Sequence, residues 1–294
     1  MSDATNIGSK AEKRIAVLFL APALLLLIIF RLIPLGWGFG MSFTDANNAG
    51  TARWVGADNY LRAVNDPTFQ DSVANTVILL ATMPMMVMLP MLLAILIHQG
   101  VPGGKFFRAV YFLPAVLSSV IVGAIFNVVL RYDGSLNEFL AVFGFDAVDW
   151  LGSSSTALGA LIAVQLWSTF GMSVLIFMAG LTTVPEDIIE AARIDGARFW
   201  QRLWFIVIPS LRPIIEFVAV VTTVGLLTNM FGLVYVLTGG GPGTATTLPE
   251  FLIWLEQGKL NRPGYAAALS MFLFVMMAGV AYAQIRIMKR NAEV

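Results

Sequence analysis

Residues 157–183 read ALGALIAVQLWSTFGMSVLIFMAGLTT, and the chain continues over 184–213 as VPEDIIEAARIDGARFWQRLWFIVIPSLRP. The first stretch carries no charge and is longer than the roughly 20 apolar residues that cross a hydrocarbon core about 30 Å thick. The second opens with charged residues, has Gly196 in its middle, and becomes apolar again around Pro209. A membrane span, a polar elbow and a second span are what this stretch implies.

Working outward, five further segments meet the same length criterion: 15–43, 73–97, 106–130, 214–237 and 265–285. Each satisfies its own backbone as a helix, which is the condition for crossing lipid. The expected fold class is all-α, an integral membrane protein of six transmembrane helices with a cytoplasmic helix–Gly–helix elbow. A tail over 1–14 precedes a single membrane domain over 15–290, with the elbow at 184–213. The first span follows Lys10, Lys13 and Arg14 and so has the look of a secretory signal. It is longer than a signal core, and five more spans follow, so it is read as an uncleaved helix. Pro22, Pro34, Pro84, Pro90 and Pro114 fall within spans and read as packing kinks.

Composition agrees. Of 294 residues, 58% are hydrophobic and 12% charged, whereas a soluble domain has about 25% charged residues. Eighteen Lys and Arg balance eighteen Asp and Glu, so nucleic acid has no electrostatic footprint to bind. With no cysteine, disulfides, thiolate metal sites and a Cys nucleophile are excluded. Lys and Arg also set orientation. Twelve lie at the termini and in the second-to-third and fourth-to-fifth loops, against five on the opposite side. Both termini and the elbow therefore face the cytoplasm.

Within the elbow, Thr183 and Glu186 have capping-box spacing, so a short helix is expected to start there. Ile188, Ile189, Ala191 and Ala192 give it an apolar face, and Gly196 stops it by entering a left-handed conformation. A second helix carrying Phe199, Trp200, Trp204 and Phe205 leads to Pro209. On periodicity alone this is either a docking elbow or an interfacial amphipathic connector with no partner.

Glu190-Ala-Ala-x-x-x-Gly196, thirteen residues before Pro209, resembles the EAA loop of permease subunits of binding-protein-dependent ABC importers. The likeness runs from Trp167 through Leu181, over Pro185-Glu-x-x-x-Glu-Ala-Ala-x-Ile-Asp-Gly-Ala, and into Ile206-x-Ile-Pro-x-Leu-x-Pro213. Tyr111-Phe-Leu-Pro-Ala, Tyr235-Val-Leu-Thr-Gly-Gly-Gly-Pro and Gly264-Tyr-Ala-Ala-Ala-Leu-Ser270 are similar to the carbohydrate branch, in particular its maltose F-type and glycerol-phosphate A-type subunits. One position departs: the family often has a polar residue after the Phe at 231, and here it is Gly232.

The resemblance implies a permease subunit in the cytoplasmic (inner) membrane of a bacterium, importing a sugar or a related polyol or sugar derivative. The expected partners are a second homologous permease subunit, two ATPase subunits, an extracytoplasmic sugar-binding protein and membrane lipid. No cofactor belongs to this chain, because ATP and Mg are held by the ATPases. Glu190, Ala191, Ala192, Asp195, Gly196, Ala197 and Pro209 are the expected ATPase-coupling residues. A sugar path needs hydroxyl-pairing groups facing the bundle interior. Its candidates are Asn229 first, then Tyr235, Gln165, Asn127 and Ser119, with interhelical hydrogen bonding as the alternative for the polar ones.

The residues also argue against other classes. No G-x-x-x-x-G-K-[ST] loop is present, since Gly104-Lys105 has Gln99 where the first glycine belongs. His98 is the only histidine, so no histidine cluster for zinc forms. A membrane-embedded transferase would need carboxylates or histidine grouped at one interface, and a channel would need a repeated filter signal. An importer of a non-sugar solute is the nearer alternative.

Overall fold

The computed structural model describes residues 10–47, 49–98 and 113–292; among them the only extended pairing is one antiparallel bridge, Thr44 to Trp54. The N-terminal tail over 1–9, the loop with Lys105 and Arg108, and the start of the Tyr111 motif lie outside the described residues.

Helices α1 (Lys10–Leu27) and α2 (Ile33–Met41) join through a π-helical turn into one apolar rod. After α3 (Asp58–Asn65), helices α4 (Pro67–Ala81) and α5 (Met83–His98) meet at Thr82 and form the second span. Asp66 starts that span by accepting the Thr68 amide, with Pro67 fixing φ at the first helical position. Next come α6 (Ser119–Val129), the short α7 (Ser135–Val142) and the long α8 (Ala157–Leu181). The elbow holds α9 (Glu186–Ile194), α10 (Phe199–Arg202), a π-helical turn and α11 (Ile208–Ser210). The chain ends with α12 (Arg212–Thr228), α13 (Phe231–Leu237), α14 (Pro249–Trp254) and α15 (Pro263–Ala292).

Among the described residues four helices are long and apolar enough to cross a membrane: Val17–Met41, Pro67–His98, Ala157–Leu181 and Pro263–Arg290. Phe199–Ser210 and Arg212–Thr228, bent by 66°, make a fifth if counted together. Two expected spans are not continuous helices. The third leaves helical geometry at Leu117–Ser118, where Ser118 turns to ψ 150° and its hydroxyl accepts the Ile121 amide. The fifth divides at Asn229 (φ −124°) into α12 and α13. Both breaks fall at a polar pair, Ser118–Ser119 and Thr228–Asn229, too short to interrupt the apolar run that hydropathy registers.

Three apolar clusters hold the bundle. Leu79, Leu161, Met230, Leu233 and Leu237 center one where α4, α8 and α13 meet; Phe177, Met91, Leu203 and Leu211 center a second between α5, α8 and the elbow. The third, Ala63, Phe69, Leu252, Tyr265 and Leu269, ties α3 and the start of α4 to α14 and the start of α15. That contact is also polar. Asn59 donates to the carbonyls of Ser42 and Thr44, the Tyr265 hydroxyl donates to Asp66 at 2.7 Å, and the Gly264 amide donates to Ala46. A Cβ on Gly264 would run into the Thr44 carbonyl and the Ala46 amide, backbone that no rotamer change moves aside.

Gly264→Ala should therefore lower the melting temperature of the purified protein, through an overpacking cost of about 1–3 kcal/mol. Gly36→Ala, whose new methyl would meet nothing within 4 Å, should leave it unchanged. Equal losses in a thermal denaturation series would contradict this packing.

Candidate coupling elbow and substrate path

Helix α8 closes with the hydroxyls of Thr182 and Thr183 donating to the carbonyls of Ala179 and Gly180, both at 2.7 Å. Thr183 thus finishes α8 and does not cap α9, which corrects the capping-box expectation. The N-cap of α9 is Pro185, with no side-chain cap bond, and Glu186 and Asp187 occupy the first turn, where negative charge suits the helix dipole. The stop is as expected. The Asp195 amide bonds the Ala191 carbonyl, Gly196 adopts φ +79°, and the Ala197 amide bonds the Ala192 carbonyl at 2.9 Å. No atom lies within 4 Å of where a Cβ on Gly196 would sit. Within this chain a side chain there costs backbone strain alone, about 1–2 kcal/mol.

The second half of the elbow is fastened from behind. Phe199, Leu203, Val207 and Ile208 pack on the cluster with Phe177 and Met91, and the Arg202 guanidinium donates to the Ala197 carbonyl. Trp200, Trp204 and Phe205 face outward. Past the bend, Arg212 pairs with Glu216 at 3.3 Å one turn along α12, so Glu216 is an intrahelical partner. Glu190, Ala191, Asp195, Gly196 and Pro209 are exposed, Ala192 and Ala197 are half-buried, and Ile194 is 82% exposed. An anchored elbow therefore presents an outer face that nothing among the described residues covers.

The expected path residues lie around α6, α8 and α13, which pack on one another. Gln165 is buried on α8, about 24 Å along the helix axis from Leu181 and the elbow. Asn229 is exposed at the break between α12 and α13. Tyr235 is half-exposed, stacked on Phe231 with ring centroids 5.7 Å apart and edge-on to Trp254 at 5.1 Å. Ser119 and Asn127 have other duties. The Asn127 amide donates to the Leu237 carbonyl at 2.9 Å, closing the end of α13. Ser119 packs on Gly232, where a Cβ would come within 2.6 Å of its hydroxyl. The glycine at 232 is thus, with Gly123, one of two that let α6 approach α13.

Two residues were not legible as site groups. Trp254 packs among Phe231, Tyr235 and Phe251. Glu250, at the start of α14 after the break, accepts the Phe231 amide at 2.9 Å, and its other oxygen is buried without a partner among the described residues. Burial pushes its carboxyl up to about 7, against the opposing effect of the Phe231 and Met230 amides. The one available signal was a carboxylate directly after Pro249 in an apolar helix. The glycine loop between α13 and α14 is tied down as well. Asn75 donates to the carbonyls of Thr244 and Thr247, and Thr246 and Thr247 donate to Gly241 and Gly240.

Asn127→Ala should lower the melting temperature, through a lost bond and an unpaired carbonyl costing about 1–3 kcal/mol. Asn229→Ala, at an exposed position, should not. A thermal shift comparison that ranks them in the opposite order would contradict these assignments.

Residues 61–286 match the family described as the binding-protein-dependent transport system inner membrane component. The chain is 33% identical to the multiple sugar-binding transport system permease protein MsmF of Streptococcus mutans, over 92% of this chain and 94% of that one. It is 30% identical to the trehalose/maltose transport system permease protein MalF of Thermococcus litoralis, over 92% and 94%. Its fold superposes on a crystal structure of a bacterial ABC transporter involved in import of the acidic polysaccharide alginate, with a TM-score of 0.82 at 23% identity over 96% of this chain and 98% of that one. With its all-helical bundle and glycine-stopped elbow, the chain belongs to the family of inner membrane components of binding-protein-dependent transport systems.

Proposed function

We propose that this chain is the permease subunit of an ATP-driven importer for a sugar or a related polyol or sugar derivative, with the elbow as its ATPase dock. The observation that carries the docking role is the uncovered outer face of α9, ended by Gly196 at φ +79° and braced from behind by Phe199 and Leu203. The sugar class is supported by the relatives named above, whose printed substrates are sugars.

In this reading the bundle crosses the membrane six times, with the broken segments around Ser118 and Asn229 completing the third and fifth crossings, and both termini are cytoplasmic. A second permease subunit shares the path, two ATPase subunits hold ATP and Mg, and an extracytoplasmic binding protein delivers sugar at the outer loops. Closure of the ATPases moves the elbows, and the movement favours one orientation of the path only if the elbow binds the two ATPase conformations with different affinity. Asn229 and Gln165 pair with substrate hydroxyls, and Tyr235 offers a ring for stacking.

Gly196→Asp tests the docking role. The variant should reach the membrane at normal levels, since its strain is local, yet lose ATPase co-purification and uptake. Glu190→Lys should behave alike by reversing charge on the docking face. Normal uptake by Gly196→Asp would reduce the elbow to a surface connector. A protease-accessible tag near Ser154 should be external and tags at both termini internal; termini on opposite sides would end the six-crossing reading.

A further inference from the structure

The break in the fifth span leaves α13 starting at Phe231 with free amides, and the group that meets them comes from a different part of the chain. Glu250 sits at the start of α14, beyond the glycine loop, and reaches back to the Phe231 amide at 2.9 Å. Phe231 and Tyr235, on α13, and Phe251 and Trp254, on α14, form one aromatic group across the same contact. One carboxylate thus joins the two short helices that supply all four rings.

We propose that Glu250 is a positioning residue, a proton-dependent latch that holds α13 and its ring face in place by capping the amides freed at the Asn229–Met230 break. This rests on the reading of Tyr235 as part of the sugar path. The second carboxylate oxygen is buried without a partner, so the ionised form is held in a place that hydrates it poorly, and the neutral form fits better. Charged and titratable groups on the surrounding elements are engaged elsewhere. Asp71 of α4 accepts from Thr244, Glu256 faces Arg262, Lys259 lies over Trp254, and Tyr265 donates to Asp66. None of these, nor Tyr235, contributes to the upward shift to about 7.

The sign follows from linkage. The closed latch binds its proton more firmly than a solvated carboxyl does. Closure is therefore strongest below the ordinary value of 4.5 and weakens as pH rises from there through about 7. Glu250→Gln keeps a carbonyl for the Phe231 amide and cannot ionise, so its latch stays closed at every pH.

Hydrogen exchange of the peptide spanning 230–237, measured in the assembled complex in lipid nanodiscs, reads the capped amides directly. Comparing variants at matched pH removes the intrinsic pH dependence of exchange. Wild type and Glu250→Gln should exchange alike at about pH 4, below the ordinary carboxyl value of 4.5. At pH 8.5 wild type should exchange faster by more than about a hundredfold, the factor for the roughly two and a half pK units between 4.5 and about 7. Glu250→Ala should exchange fast at both. Equal exchange of wild type and Glu250→Gln at both pH values, or a protected Glu250→Ala, would overturn the latch. No sugar enters the measurement, so failure of the sugar reading would leave its outcome unaffected.

Discussion

A backbone amide or carbonyl that leaves a helix inside an apolar bundle has no water to turn to, and leaving it unpaired costs on the order of several kcal/mol. The breaks in this protein are arranged around that constraint. Ser118 caps α6 as the chain re-enters helix, Asn127 closes the end of α13, Glu250 meets its start, and Asn75 ties the loop that follows. Most of these bonds join segments far apart in sequence, so each break also fixes one helix against another. The close approach of α6 and α13 through Gly123 and Gly232 depends on them, because a pair packed that tightly has no room to drift.

The elbow obeys a different rule. It is exposed to water, so its backbone can end in the usual way, with a left-handed glycine and two return bonds. What makes it more than a turn is its fastening. Leu203 and Leu211 are buried in the cluster shared with α5 and α8, so the second half of the elbow is fixed to the bundle. Helix α8 runs from that junction up to Gln165 without a break. The path candidates and the elbow are thereby linked by one stiff helix.

Much of this was legible in the sequence, and the unreadable parts share a cause. Apolar runs longer than 20 residues announce helices, and Gly196 after an amphipathic turn announces a stop, because both depend on residues close in sequence. The short helix was expected, but it starts at Glu186 after Pro185, two residues later than a Thr183 cap would set it, since Thr183 had a nearer carbonyl at Gly180. Asn127 carried two readings, path lining or interhelical bonding, and sequence cannot show that it bonds the Leu237 carbonyl, 110 residues away. Glu250 and Trp254 were missed for the same reason: their roles exist only once α14 folds back onto α13. Gly232 looked like a lost polar contact until Ser119 was seen against it.

The central claim is that the outer face of α9 is the place where an ATPase seats. Because the chain has no cysteine, a single Ile194→Cys substitution gives one thiol at a position 82% exposed on that face. Its labelling rate by a polar maleimide should be fast in the permease pair alone. It should fall sharply when the ATPase subunits are added, and differ between the nucleotide-free and ATP-bound complexes. A labelling rate unaffected by the ATPases would show that they bind elsewhere and contradict the account.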